Sequence, residues 1–456
     1  MAQSFDTILR GGRIFTPNGL AEGDLALADG RIARIGDVGG ASAAEVVDCR
    51  GLTVLPGVID TQVHFREPGL EHKEDLESGT RAAAMGGVVA VFEMPNTKPS
   101  TLDAAAMADK VRRAEGRTWT DHAFFMGTAA ENADKLAELE GLPGCCGVKI
   151  FMGSSTGSLL VEDDETLLEA LRHGRRRVAV HCEDETRLRE RLALVRDGAD
   201  SSQHPVWRDA ETARLATERL LRLARIAGRK VHVLHVTTAE ELPLLAANKD
   251  IATCEVTPQH LTLEAPDCYE RLGSLAQMNP PIRGAEHRAA LWDGVRQGLF
   301  DVVGSDHAPH TLEEKQVAYP RTPSGMPGVQ TLVPLLLDHV AAGRMTLERF
   351  VDLTAHGPGR IYQLAGKGRL AVGYDADLTV VDLAARREIT GDWLAAKCGW
   401  SPFEGMSVTG WPVMTWIRGR AVMREGALNG APSGRPVRFQ DTLPAHNLEY
   451  EADAGA

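Results

Sequence analysis

Eight short β-rich runs alternate with helical patterns between residues 57 and 365, and this alternation limits the fold more than any other feature of the sequence. The runs are Val58 to His64, Val88 to Met94, His122 to Met126, Gly147 to Phe151, Val178 to His181, Lys230 to Val236, Ala252 to Val256 and Asp301 to Asp306. Amphipathic helical patterns lie between them, as at residues 209–226. Eight such units in about 300 residues predict an α/β fold, the (β/α)8 or TIM barrel. A doubly wound parallel sheet has the same alternation and stays open on the pattern alone.

Both ends of the chain have a different texture, made of short β segments. They are Thr7 to Leu9, Arg13 to Phe15, Asp24 to Ala28, Arg31 to Ile35 and Thr53 to Leu55, then Leu378 to Val381, Val413 to Ile417 and Arg420 to Met423. Because two or three strands alone are marginally stable, residues 1–56 and 366–430 are predicted to form one small β-sandwich domain. Residues 57–365 would then be the inserted barrel. The proline-containing residues 431–456 are predicted to be an extended or disordered tail.

Composition narrows the choice of partner and compartment. A formal net charge of −13 argues against a nucleic-acid partner, since such proteins present a basic surface. Seven cysteines without CxxC spacing argue against a disulfide framework and against a thiolate zinc site, which favours a reducing compartment. The sequence has no signal-peptide pattern and no run of about 18 apolar residues. We therefore expect a cytoplasmic protein that does not contact membranes.

Polar side chains that can bind a metal recur at the ends of the predicted barrel strands. They are Gln62, His64, Lys149, His181, His235 and Asp306. A lone histidine at a strand end is more often a core residue than a ligand, but recurrence on five strands makes coincidence much less probable. Barrel enzymes build their active sites at this end, and imidazole and carboxylate suit zinc. A charged lysine has no lone pair, so Lys149 requires a structural reason or a chemical modification.

Several motifs carry a resemblance to a known family. They are Gly57-Val58-Ile59-Asp60-Thr61-Gln62-Val63-His64-Phe65-Arg66-Glu67-Pro68-Gly69, Met94-Pro95-Asn96-Thr97, Val148-Lys149-Ile150-Phe151, His181-Cys182-Glu183-Asp184-Glu185, His235-Val236-Thr237-Thr238, Met278-Asn279-Pro280-Pro281-Ile282-Arg283 and Ser305-Asp306-His307-Ala308-Pro309-His310. In this order the motifs resemble the dihydroorotases of the amidohydrolase superfamily, in their class I bacterial form. The resemblance extends over nearly the whole chain.

The resemblance implies a zinc-dependent hydrolase of cyclic amides that interconverts dihydroorotate and N-carbamoyl-L-aspartate in pyrimidine biosynthesis. Carbamylated Lys149 would bridge two zinc ions. His181 and His235 would hold one ion, and His64 and Asp306 the other. Asp306 would act first as general base towards the attacking water and then as general acid towards the leaving amide nitrogen.

Substrate choice depends on residues that are not metal ligands. By the resemblance, Arg66 and Asn96 bind a substrate carboxylate, with further contacts from Asn279 and His310. A guanidinium is the natural planar partner of a carboxylate, so this set favours dihydroorotate. An allantoinase or hydantoinase-type hydrolase is the alternative within the same chemistry.

Gln62 departs from the family, which has a histidine at the first position of its His-x-His motif. An amide oxygen is a weaker zinc ligand than imidazole, so either one zinc ion or two, with Gln62 or water completing the weaker site, remain open. A further alternative is a catalytically impaired subunit that assembles with aspartate transcarbamoylase. Family habit suggests a homodimer.

Overall fold

The computed structural model describes residues 4–154, 159–196 and 199–443. Their strands are β1 (Ser4–Thr16), β2 (Gly19–Ala28), β3 (Arg31–Gly36), β4 (Ser42–Asp48), β5 (Thr53–Pro56), β6 (Val58–Val63), β7 (Val88–Glu93), β8 (Asp121–Gly127), β9 (Cys145–Phe151), β10 (Val178–His181), β11 (Val231–Val233), β12 (Ala252–Val256), β13 (Val302–Val303), β14 (Leu378–Glu388), β15 (Ser407–Ile417), β16 (Arg420–Arg424) and β17 (Ala427–Leu428). They form two sheets: one contains the strands of the middle of the chain, β6 to β13, and the other contains the strands of its two ends.

Strands β6 to β13 form a parallel barrel in which each strand pairs with its neighbour in sequence. The barrel is nearly closed by a parallel bridge between Val63 and His307, and the His64 amide donates to the His307 carbonyl oxygen at 2.7 Å. Strands such as β7 and β9 are buried along their whole length, because the interior covers one face and helices cover the other. The predicted barrel is confirmed, and the sequential strand order excludes the doubly wound alternative.

Helices connect the barrel strands. They are α1 (Leu76–Met85), α2 (Ala104–Ala114), α3 (Leu136–Leu139), α4 (Asp164–Arg172), α5 (Glu185–Arg191), α6 (His204–Trp207), α7 (Ala210–Ala227), α8 (Glu241–Ala246), α9 (Pro258–Thr262), α10 (Asp267–Leu272), α11 (Ala285–Arg296), α12 (Leu312–Lys315), α13 (Leu332–Ala341), α14 (Leu347–Val351) and α15 (Gly357–Ile361), with a π-helical turn at Asp352–His356. Aspartate N-caps begin several of them, as in α1, where Asp75 accepts from the Ser78 amide at 2.9 Å, and in α7, where Asp209 accepts from the Thr212 amide at 3.1 Å. No helix within the described ranges is long and apolar enough to span a membrane.

The second sheet combines both ends of the chain in the order β17-β16-β15-β14-β5-β1-β2-β3, with β4 added on β1. The small β domain predicted from the two termini is thus one continuous mixed sheet. Strand β1 pairs with β4 through its first half and with β5 through its second half. Strand β4 was not predicted from the sequence. It is mostly exposed, so it lacks the apolar pattern that marks a buried strand.

Part of the tail, predicted to be extended or disordered, is extended and packed on the barrel. Residues 434–439 run extended along the amino end of the barrel, where the His122 amide donates to the Arg435 carbonyl oxygen at 3.0 Å. Phe439 is buried in the same apolar cluster as Phe92 and Tyr362. This part of the tail is therefore an ordered cover on the barrel, because its apolar side chains have a surface to pack against. Residues 444–456 lie outside the described residues.

Candidate active site

The predicted metal-binding side chains come together at the carboxyl end of the barrel. They line one small, largely enclosed cavity, together with Phe151, Asn279, Ala308, Ser324 and Gly325; the set is Gln62, His64, Lys149, His181, His235 and Asp306. Their backbone positions lie at or just beyond the ends of β6, β9, β10, β11 and β13. The parallel barrel thus gathers residues that are up to 244 positions apart in the chain, as the spacing of Gln62 and Asp306 shows.

Two histidines face each other across this cavity. His181 Nδ1 lies 3.1 Å from His235 Nε2, and the rings meet nearly edge to face. The His181 Nε2–H donates to Glu183 Oε2 at 2.8 Å, which leaves Nδ1 as the atom with a lone pair towards the cavity. The other nitrogen of His235, Nδ1, is buried and has no hydrogen-bond partner among the described residues.

Glu183 fixes this orientation of His181, and no role for it was predicted. Burial alone would raise the pKa of Glu183, but Arg208 and the bond from His181 outweigh burial and hold the pKa well below its usual range. The Arg208 guanidinium donates to both carboxylate oxygens, with Nε 3.0 Å from Oε1 and Nη2 2.5 Å from Oε2. Metal-binding histidines commonly donate their second N–H to such a carboxylate. The signal in the sequence was the acidic residue two positions after His181.

His64 and Asp306 form the second convergent pair. His64 Nδ1 lies 2.8 Å from Asn96 Oδ1, so Nδ1 carries the proton and Nε2 presents its lone pair to the cavity. His64 Nε2 lies 3.2 Å from Asp306 Oδ1. A neutral imidazole nitrogen and a carboxylate oxygen repel each other at this distance unless a proton or a cation lies between them. Asn96, on the side of the ring away from Asp306, thus orients the His64 imidazole in this structure.

Gln62 uses its side-chain nitrogen on Asp306. Gln62 Nε2 donates to Asp306 Oδ1 at 3.0 Å, and the opposite orientation of the amide would set two oxygens against each other. The remaining atom, Gln62 Oε1, is buried without a hydrogen-bond partner among the described residues. The amide thus acts as a neutral donor to the carboxylate at the position where the family has an imidazole.

Lys149 is the buried cation of the cavity. It is only 1% exposed, and its Nζ lies 4.3 Å from the centre of the Phe151 ring. In the described part of the chain, no carboxylate pairs with it. Burial lowers the pKa of the unmodified amine to about 7. An unpaired ammonium is costly in such a place, so the structure supplies no ion-pair reason for a lysine here.

Arg66 lies beside the cavity with His310. Its Nε donates to the Pro309 carbonyl oxygen at 3.1 Å, and its Nη2 lies 3.3 Å from His310 Nε2. Arg66 is 1% exposed and forms no ion pair with any residue in the described ranges. Burial lowers the pKa of its guanidinium to about 10. A buried guanidinium of this kind can pair with an anion. Arg66 and His310 themselves are not among the residues that line the cavity.

Three of these residues adopt a left-handed backbone conformation: Arg66 (φ 66°), His235 (φ 36°) and Asp306 (φ 44°). Non-glycine residues rarely adopt positive φ, and such strain concentrates where a side chain must be aimed. At His235 and Asp306 the backbone therefore turns so that the side chains reach the cavity.

The donor chemistry suits one or two divalent cations. No group of three or more His, Cys, Asp or Glu side chains in the described ranges could hold a metal by itself. The donors converge in two pairs instead, His181 with His235 and His64 with Asp306, and Lys149 and Gln62 lie on the same cavity. Together with the unpartnered His235 Nδ1 and Gln62 Oε1, these pairs fit a metal centre that is completed by a modified lysine or by water.

Comparison with known proteins agrees with this site. Residues 53–422 match the amidohydrolase family. A dihydroorotase of Methanosarcina mazei is 36% identical over 442 residues, covering 94% of this chain and 96% of the relative. A dihydroorotase of Halobacterium salinarum is 39% identical over 427 residues, covering 91% and 99%. The chain belongs to the amidohydrolase family, whose members are in general binuclear metal-dependent hydrolases, and it is a hydrolase of the kind that acts on cyclic amides.

Solved structures with the same fold carry different names. An L-hydantoinase (dihydropyrimidinase) from Arthrobacter aurescens superimposes with a TM-score of 0.90 at 30% identity, covering 95% of this chain and 99% of that one. A dihydropyrimidinase from Brevibacillus agri gives 0.86 at 28% identity, covering 94% and 97%. Fold similarity alone therefore does not decide which ring this site accepts.

Proposed function

We propose that this protein is a dihydroorotase, which reversibly interconverts dihydroorotate and N-carbamoyl-L-aspartate in pyrimidine biosynthesis. Two observations support this hydrolysis of a cyclic amide. The site residues suit it, and relatives named dihydroorotase match more than 90% of the chain. The choice of dihydroorotate as the substrate rests on one observation: the buried Arg66 guanidinium has no ion-pair partner in the described ranges. A ring carboxylate supplies that partner, whereas dihydropyrimidines and simple hydantoins have no such group.

The cofactor proposal is zinc, one ion or two, with Lys149 carbamylated. His181, His235 and the carbamate would hold the first ion, and His64 and Asp306 the second. When bound, the metal supplies hydroxide at neutral pH and polarises the scissile carbonyl. Carbamylation converts an unpaired buried cation into an anionic ligand, which removes the electrostatic penalty at Lys149.

The side chains then divide the remaining work. Arg66 fixes the substrate carboxylate, and Asn279 contacts the ring from the rim of the cavity. Asp306 accepts the proton of the attacking water and delivers it to the ring nitrogen as the carbon–nitrogen bond breaks. Its Oδ2 is the oxygen that holds this proton, because Gln62 and His64 occupy Oδ1 and no described residue bonds Oδ2.

The decisive experiment compares Arg66→Met with the wild type on dihydroorotate and on dihydrouracil, which has the same ring without the carboxylate. We expect kcat/KM for dihydroorotate to fall by about 100-fold or more, because a buried charge-assisted contact is lost. Any activity on dihydrouracil should change by less than about threefold. The matched control is Arg177→Met, whose guanidinium bonds the Val231 and Ile251 carbonyl oxygens at the amino end of the barrel.

Equal losses on both substrates would refute the assignment of Arg66 to the carboxylate. A wild type that prefers dihydrouracil would favour the hydantoinase-type alternative, to which the fold similarity to the Arthrobacter aurescens enzyme points. A metal-loaded wild type that acts on neither ring would favour the impaired subunit, for which binding to aspartate transcarbamoylase is the next assay. Asp306→Asn should lower turnover of the accepted substrate by at least about 100-fold.

A further inference from the structure

A buried histidine outside the metal-binding set contacts Asn279. His204 opens α6, in the connection that follows β10, and is 1% exposed. Its Nε2 lies 2.9 Å from Asn279 Oδ1 and 3.1 Å from the Met278 carbonyl oxygen. Its Nδ1 lies 3.4 Å from the Tyr319 hydroxyl, in the connection that follows β13. His204 thus joins segments that follow three different barrel strands.

The Met278 carbonyl oxygen determines which His204 nitrogen carries the proton and which Asn279 atom faces it. A carbonyl oxygen can only accept, so His204 Nε2 must carry a proton. The Asn279 atom at 2.9 Å from that N–H must then be the oxygen, because the side-chain nitrogen is itself a donor. Burial, with the nearby Arg208 charge, lowers the pKa of His204 to about 3, so the ring is neutral and Nδ1 accepts from Tyr319.

This bond sets the direction of the rest of the amide. With Oδ1 turned to His204, Asn279 Nδ2 points the other way, and no described residue accepts a hydrogen bond from it. Asn279 lines both the small cavity and an adjoining cavity of about 420 Å3. Its N–H2 is therefore a fixed donor at the boundary between the small cavity and the adjoining one.

We propose that His204 is a positioning residue that locks Asn279 as a hydrogen-bond donor to an oxygen of the substrate ring. This inference rests on the proposed function and deepens it, because it assigns the rim of the site to an acceptor on the substrate, a carbonyl or carboxylate oxygen. Without His204 the amide could rotate and present Oδ1, which would repel that acceptor.

The test compares His204→Phe and His204→Gln on metal-loaded protein with dihydroorotate. Phenylalanine keeps a ring in the space but removes the donor, so KM should rise about tenfold while kcat changes by less than about threefold. Glutamine places an N–H2 near the position of Nε2, so it should restore KM to within about threefold of the wild type. The dissociation constant of dihydroorotate, measured by calorimetry on the same samples, should follow KM.

A double-mutant cycle isolates the contact. If His204 acts through Asn279, then His204→Phe should have no further effect on KM in an Asn279→Ala background. Additive losses, an unchanged KM in His204→Phe, or equal losses in the Phe and Gln variants would overturn the inference. A wild type that neither binds nor hydrolyses dihydroorotate would instead overturn the proposed function. If the wild type binds dihydroorotate, the His204 and Asn279 variants decide whether the inference holds.

Discussion

Gln62 is the residue on which the metal content of the site depends. Its amide donates to Asp306 Oδ1, and its own oxygen is turned to no partner among the described residues. We therefore expect the wild type to retain about one metal ion per chain, because the pair of His64 and Asp306 lacks a third strong donor. Gln62→His should add a second equivalent, measured by elemental analysis after gel filtration.

The control for this prediction is Gln259→His, since Gln259 instead bonds the Ser305 carbonyl oxygen with its side-chain nitrogen. Two retained ions in the wild type, with no gain in Gln62→His, would contradict the weak-site interpretation and make the amide oxygen or a water an adequate ligand.

Glu183 gives a second prediction at the scale of single residues. Glu183→Gln removes the charge that orients the His181 imidazole and leaves Arg208 without its buried partner. Metal affinity should fall about 10- to 100-fold, as for other carboxylates behind a metal-binding histidine. Competition with a chelator measures this. Glu185→Gln is the matched control, because that carboxylate is also buried but bonds the Ser154 amide and Arg189.

At the scale of elements, the extended segment at residues 434–439 covers the amino end of the barrel. Phe439 is 3% exposed and packs beside Phe92, with the Arg176 guanidinium 4.7 Å from its ring centre. Phe439→Ala should lower the free energy of unfolding by about 3–5 kcal/mol, because it leaves a cavity under the segment. Urea unfolding measures this change, and kcat of the folded protein should be unaltered because the site lies at the other end.

Ile226→Ala is the control for the segment, since Ile226 is an exposed residue of α7 and its loss should change stability by no more than about 0.5 kcal/mol. Equal effects of the two substitutions would mean that the segment does not contribute to the core.

At the scale of the whole molecule, a buried charge cluster joins the barrel to the terminal sheet. Lys367 Nζ lies 2.7 Å from Asp121 in β8 and 3.3 Å from Asp375, and it also pairs with Asp377. Burial alone would lower the pKa of Lys367, but the three carboxylates outweigh it and raise the pKa well above its usual value. The cluster ties the two sheets together at a point far from the metal site.

Lys367→Met should therefore lower the free energy of unfolding by about 3–5 kcal/mol, because it leaves buried carboxylates uncompensated. Arg225→Met, which breaks the exposed pair with Asp250, should leave the stability almost unchanged, because exposed ion pairs are screened by water. Chemical unfolding of both variants measures the difference. Comparable losses of unfolding free energy in the two variants would show that the charge cluster does not stabilise the contact between the barrel and the terminal sheet.

The fold of the whole molecule does not determine its substrate. Hydantoinase structures superimpose closely on this chain, whereas relatives that are more similar in sequence are named dihydroorotases. In our proposal, the choice between the two substrate classes depends on side chains beside the cavity, of which Arg66 carries the charge.

The sequence by itself determined the barrel, the terminal sheet and the types of residue at the strand ends. Burial patterns and strand-end residues are local properties, so they can be read from neighbouring positions. Only the tertiary structure decided that Gln62 donates to Asp306, that Glu183 is held by Arg208, that His204 orients Asn279, and that residues 434–439 cover the barrel. The partners in these contacts lie 25 to 314 positions apart, and the direction of an amide or the protonated nitrogen of an imidazole depends on which distant group closes the contact.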